Sequence, residues 1–237
     1  MAIRRYTASA DTTIVNAYRP DLQTRGTGAN MGEADVLETF SIYGRVTTSS
    51  AELSRILIKF PISDISAERT AGTIPASGSV NYYLKMFNAK TSKTVPRDYK
   101  LSIMAVSQSW QEGIGLDLES YKDITNGNAG SNWMSASNTA YWTDNNGTLL
   151  AGGSYHTGSS AVTPSQETFI FTPTFSSGLE NLEVDITPMV EQWIAETYTN
   201  YGMGVHFSAS YEAFHSGTAD SLESRIPGDP ALDEDDT

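Results

Sequence analysis

The stretch from Leu182 to Ser208, LEVDITPMVEQWIAETYTNYGMGVHFS, constrains the fold more than any other in this 237-residue chain. Leu182-Glu183-Val184-Asp185-Ile186 alternates apolar and polar residues, the period of a strand with one buried face. Thr187-Pro188 reads as a helix start: Thr caps a first turn, and Pro has no N–H to lose there. Val190, Trp193 and Ile194 fall at i, i+3 and i+4, giving a short helix, at about 188–197, one apolar face. Asn200-Tyr201-Gly202 ends it, and Met203 to Phe207 read as another strand. Such a strand–helix–strand unit needs a sheet from elsewhere in the chain to cover its apolar side.

The rest of the sequence offers that sheet. Residues 12–18 and 36–43 read as strands, and Ser54 to Phe60 is a nearly continuous apolar run suited to a central position. After Pro61, Ile62 and Ile65 anchor a short turn of helix, and 66–78 reads as loop. Val80 to Asn88 and Tyr99 to Val106 alternate well, and a loop of about ten residues between them predicts antiparallel neighbours. From Ser107 to Gln166, Gly, Asn, Ser and Thr dominate, with Trp and Tyr spaced among them. A structureless loop of that length is unusual, so short strands are expected there, one near Leu149-Leu150. Thr168 to Phe171 is a further strand. The chain reads as one domain over 1–226, followed by an acidic, Pro-containing tail at 227–237.

Bulk properties narrow the function. A net charge of −13 without a basic patch argues against a nucleic-acid backbone and an anionic membrane as partners. No run reaches the roughly 20 apolar residues of a spanning helix. Arg4-Arg5 lack a following apolar segment, which predicts synthesis without a secretory signal. With no cysteine, stability must come from the core or from partners.

Candidate chemistry is sparse. His156, His206 and His215 lack the spacing of a metal pair, and no G-x-S-x-G elbow accompanies the serines. Glu112, Asp117 and Glu119 are loop carboxylates next to Trp110, but a glycosidase needs two facing ones across a cleft. No cofactor is expected; Asp11 with nearby carbonyls is a candidate for structural calcium. Trp133, Trp142, Tyr121, Tyr141 and Tyr155 are candidate sugar-stacking rings, or else they pin the long loops to the sheets. Asp233, Glu234, Asp235 and Asp236 form either a solvated end or an arm for a basic groove on a partner.

Several landmarks in order resemble one family. They are Ala10-Asp11-Thr12-Thr13-Ile14, Arg55 to Ile65 (RILIKFPISDI), Trp110-Gln111-Glu112-Gly113, Asn132-Trp133, Val184 to Trp193 (VDITPMVEQW) and Asn200-Tyr201-Gly202. Over residues 8–210 the chain resembles the DNRLRE-type jelly-roll domains, which are like carbohydrate-binding modules and are also carried by tailed-phage virion proteins. The resemblance implies an all-β fold, a two-sheet antiparallel jelly-roll sandwich with one short helix and long Gly/Asn/Ser-rich loops. It implies a non-enzymatic virion structural or accessory protein, made in the host cytoplasm and bound to other virion proteins and to copies of itself. The alternative is a carbohydrate-binding adhesion module that touches cell-surface glycan. In two respects the chain departs from the family. The 136–166 region is long, and family members continue past the strand matching Met203–Phe207, where this chain turns acidic. That second departure predicts an unpaired sheet edge, covered by a neighbouring subunit or by the protein's own tail; the alternative is that residues 209–226 form the missing strand.

Overall fold

The computed structural model describes residues 3–43, 51–91, 95–116, 130–156 and 169–212. In chain order it places strands β1 (Ala10–Val15), β2 (Ser41–Tyr43) and β3 (Ala51–Lys59), helix α1 (Ile62–Thr70), and strands β4 (Tyr83–Met86), β5 (Tyr99–Ala105), β6 (Ser135–Ser137) and β7 (Ala140–Tyr141). There follow β8 (Ile170–Phe171), β9 (Thr174–Phe175), β10 (Leu182–Asp185), helix α2 (Thr187–Ile194), β11 (Met203–Phe207) and the short helix α3 (Ala209–Glu212). Strand outweighs helix, and the strand pairs are antiparallel, as the alternation predicts.

A seven-stranded sheet runs β1-β3-β11-β5-β8, with β2 added on β3 and β9 on β5. Its register runs from Ala10 opposite Lys59 to Val15 opposite Ser54, and Met203 lies between Ile58 and Ala105. All five residues of β11 are buried because this sheet is covered on both faces. On one face Ile56, Ile58, Ile103, Met203 and Val205 pack against Leu84 and Leu182 of the two-stranded β10-β4 sheet and against Met189, Val190 and Trp193 of α2. On the other face Ile14, Leu57 and Val106 meet Trp133 and Trp142 in a second core.

The two-stranded sheet alone is too narrow to cover the first face, and the helices complete the layer. Arg69 of α1 donates to both carboxylate oxygens of Glu191 of α2, each at 2.7 Å, and to the Tyr82 hydroxyl at 2.8 Å. The strand–helix–strand unit therefore bridges two layers: β10 belongs to the small sheet and β11 to the centre of the large one. Asn200-Tyr201-Gly202 makes that crossing. The Asn200 side chain donates to the Phe60 carbonyl at 2.9 Å, and Gly202 has φ +84°, where a Cβ would lie 2.4 Å from the Ile58 oxygen.

Several expectations need correction. The helix predicted near 188–197 spans Thr187–Ile194, and a second one, α1, continues through residues read as loop because α2 gives it a face to pack on. The first strand ends at Val15, where the Asn16 side-chain oxygen accepts the Leu53 N–H at 2.6 Å in place of a backbone partner. Of 36–43 only Ser41–Tyr43 is strand. β4 and β5 are not neighbours: β4 joins β10 and β5 joins β11, since Asn88 is held by Asn181 and Gly178 on the far layer. Periodicity located both strands but carried no information about their sheet. β11 does not border a missing strand either, because β3 and β5 occupy both its edges.

Candidate functional site

Three places gather polar or exposed groups of interest, and the first lies on the edge strand β1. Asn16 N–H bonds to Leu53 O at 3.0 Å, so even-numbered β1 residues face β3 and the Asp11 N–H points outward. Glu112 accepts that N–H at 2.8 Å. Asn30, fully buried, donates to the carbonyls of Glu112 and Ser131, both at 2.7 Å, and accepts from Gly115 N–H at 2.8 Å and Gly32 N–H at 3.1 Å. The Trp110-Gln111-Glu112-Gly113 turn thus caps a sheet edge. Burial, and then the Glu112 charge, push the Asp11 carboxyl above its ordinary range. Glu112→Ala is expected to cost about 1.5–3 kcal/mol, the range for a hydrogen bond to a charged group. Glu112→Gln keeps an acceptor, relieves Asp11 and should cost less; urea denaturation of both variants checks the order.

The second place is a charge cluster on the far face of the large sheet. Arg55 of β3 donates to both Glu212 oxygens, at 2.8 and 2.6 Å, and to the Gly152 carbonyl at 2.6 Å. Its guanidinium lies 5.2 Å from the Trp133 ring centre and 5.8 Å from that of Tyr155. His206 Nδ1 sits 2.7 Å from the Phe207 carbonyl and 3.4 Å from Glu212, so the ring proton belongs on Nδ1, where both acceptors are. Tyr155 donates to Gly152 O at 2.9 Å, and burial, partly offset by Arg55, pushes its hydroxyl up to about 12. Gly204 makes room for that ring: a Cβ there would be 2.3 Å from Tyr155 Cε1.

The sugar-stacking candidates do not converge on an open surface. Trp142 is fully buried and Trp133 is 7% exposed, because both form the second core. Tyr155 is partly buried under Arg55 and against His206. Tyr141 alone of the described candidates is well exposed, at 60%. Tyr121, the carboxylates Asp117 and Glu119, His215 and the acidic run Asp233, Glu234, Asp235 and Asp236 lie outside the described residues. His156 stacks on Phe169, 5.1 Å between ring centres, and burial lowers its basicity. Among the described residues no three His, Asp or Glu side chains gather where a metal ion could be held, Asp11 included.

The third place is the outer face of the β10-β4 sheet. Ile186 N–H bonds to Tyr82 O at 2.8 Å, so even-numbered residues of both strands carry the ladder. The N–H and C=O groups of Tyr83 and Lys85 point away from β10, and no described residue bonds to them. On the outward face Tyr83 is 54% exposed and Phe87 77%, and Leu179, in the turn before β10, is 71% exposed. Lys85 pairs with Glu183 at 2.7 Å among them. The Glu180 carboxylate fixes the turn that presents Leu179 by accepting the N–H groups of Ser177 at 2.9 Å and of Ser176 and Leu179 at 3.1 Å.

The chain matches no family model, no curated protein and no solved structure.

Sequence reasoning did not single out Arg55 with Glu212 as a pair, since nothing local links residues 157 apart. The outer face was signalled. Tyr83, Lys85 and Phe87 occupy the polar side of an alternating strand, and two aromatics there are more than solubility requires.

Proposed function

We propose that this chain is a non-catalytic structural protein of a tailed-phage particle, a jelly roll of the DNRLRE-like type that works through protein–protein contacts. The observation that carries this reading is the outer face of β10-β4, where Tyr83 and Phe87 are exposed beside a strand edge whose outward N–H and C=O groups no other described residue bonds, with Leu179 exposed in the turn before β10. Aromatic anchors ringed by polar residues are the usual centre of a protein interface. The partly buried charges, in contrast, serve the fold: Arg55 holds Glu212, Arg69 holds Glu191, and Glu112 caps β1. The jelly-roll winding and the placement in a phage particle rest on the order of the sequence landmarks. A stable contact of this kind buries about 1,200–2,000 Å². Co-sedimentation of the purified protein with phage head, neck and tail assemblies tests the proposal. Saturable binding to one of them is expected, and weaker binding when Phe87→Ser and Leu179→Ser are combined. A protein that co-sediments with no assembly and does not self-associate would count against it.

A further inference from the structure

We propose that β4 is a self-association edge, and that two copies join β4 to β4 about a two-fold axis through Leu84 into one four-stranded sheet. This rests on the assembly reading above and names one contact within it.

The first argument is the ladder's parity. Tyr83 and Lys85 turn their N–H and C=O groups outward, and two such edges placed antiparallel meet as hydrogen-bonded pairs, about four N–H···O bonds in all. The second is the absence of the usual safeguard. Edge strands discourage pairing with a free Lys or a Pro, but the one Lys of β4 is neutralised by Glu183 at 2.7 Å and β4 holds no Pro. The third is charge complementarity, which selects the register. With the axis at Leu84, Tyr83 stands opposite Lys85 of the second copy, and Lys85 opposite its Tyr83. Because Tyr83 neighbours Asp185 and Lys85 neighbours Glu183 within each chain, each row across the joined sheet reads Glu183, Lys85, then Tyr83 and Asp185 of the second copy. Each ammonium then lies between a carboxylate and an aromatic ring. A pairing centred on Lys85 would set two lysines face to face, which is destabilising.

The chain has no cysteine, so single cysteines report the register directly. Opposed residues in a hydrogen-bonded pair are about 5.5 Å apart between Cα atoms, within disulfide reach. Tyr83→Cys and Lys85→Cys proteins, mixed and oxidised, are expected to give a covalent dimer that neither gives efficiently alone. In analytical ultracentrifugation the parent should show a concentration-dependent dimer. Tyr83→Lys should weaken it roughly tenfold or more. Adding Lys85→Tyr should restore it, because the swapped pair is again a lysine facing a tyrosine with an acid beside each. Both positions are exposed, so circular dichroism should show the fold unchanged in each variant. An oligomer that forms no mixed disulfide and ignores Tyr83→Lys would overturn the β4 edge while leaving the assembly reading standing. Efficient cross-linking of Lys85→Cys alone would overturn the register. A parent that stays monomeric at all concentrations would overturn the proposal, with co-sedimentation then judging the wider reading separately.

Discussion

Replacing Trp142 with alanine is expected to destabilise the protein by about 3–5 kcal/mol, the usual loss for a large buried aromatic. For a chain of this size that corresponds to a fall in Tm of roughly 10 °C. The side chain is fully buried and packs with Ile14, Leu57, Val106 and Trp133. Its indole N–H donates to the Asn132 carbonyl at 2.8 Å, so truncation also leaves a half-buried acceptor without its donor. The cavity cannot close easily. Trp142 is pinned by its backbone, with its N–H on Met134 O at 3.2 Å and its carbonyl accepting from Leu150 at 2.8 Å. Trp142→Phe should recover most of the packing but not the hydrogen bond, and fall between alanine and the parent. Thermal and urea denaturation followed by circular dichroism measure both. If Trp142→Ala melts like the parent, the 130–156 segment is an ornament and the far face of the large sheet has no core of its own.

This second core also shows where sequence reading stops. The strands legible in the sequence were those with a sharp period: β5, β10 and β11, each located nearly to the residue, and β3, which starts three residues before the predicted Ser54. The start of the Trp193 helix was legible too, because Thr187-Pro188 marks it, whereas its end at Ile194 comes well before Asn200-Tyr201-Gly202. The described parts of the 107–156 region, 107–116 and 130–156, were not legible, because their order comes from contacts distant in sequence. Trp133 N–H bonds to Thr27 O at 3.2 Å, Ser131 N–H to Gln111 O at 2.7 Å, and residues 154–156 run along β5 through Ser107 N–H to Ser154 O and His156 N–H to Ala105 O, both at 2.9 Å. Gly, Asn and Ser are suited to such linkages because they tolerate unusual backbone angles or bond to nearby N–H groups. Asn132 does so by accepting from Met134 and Ser135, both at 2.9 Å. A composition that reads as loop is therefore the material of a packed layer. The same limit applies to the tryptophans: their types allowed either a sugar platform or a packing role, and the fold decides for packing, with Trp133 and Trp142 facing inward. The outer face of β4 lay open to period-two reasoning, whereas its outer edge depended on knowing that, among the described residues, β4 pairs only with β10.

Arg55→Ala is expected to cost about 3–5 kcal/mol, because it removes one partner of a buried ion pair and strands the other. Glu212 retains only 11% side-chain exposure. It cannot simply swing out, because α3 is tied down: Ser41 Oγ donates to Tyr211 O at 3.0 Å and the Tyr211 hydroxyl donates to Asp98 O. Arg55→Lys should restore little, since an ammonium cannot reproduce the paired bonds to Glu212 together with the bond to Gly152. Replacing both partners, Arg55→Met with Glu212→Leu, should cost less than either single change, because no uncompensated charge remains and Trp133 and Tyr155 already line the site. A pH signature separates this pair from ordinary packing. Burial alone would raise the Glu212 carboxyl, but hydrogen bonds from His206 and Arg55 outweigh it and hold the group below the ordinary glutamate value of 4.5. A depressed carboxylate contributes stability that is complete above the unfolded value and is lost as pH falls through the folded one. The stability gap between the parent and Glu212→Gln should therefore be constant above about pH 5 and shrink as the solution is acidified below the ordinary carboxylate range. Urea midpoints taken across that range measure the gap. A gap that does not change with pH would mean that Glu212 acts by shape alone, and equal midpoints for Arg55→Ala and the parent would mean that the cluster holds nothing together.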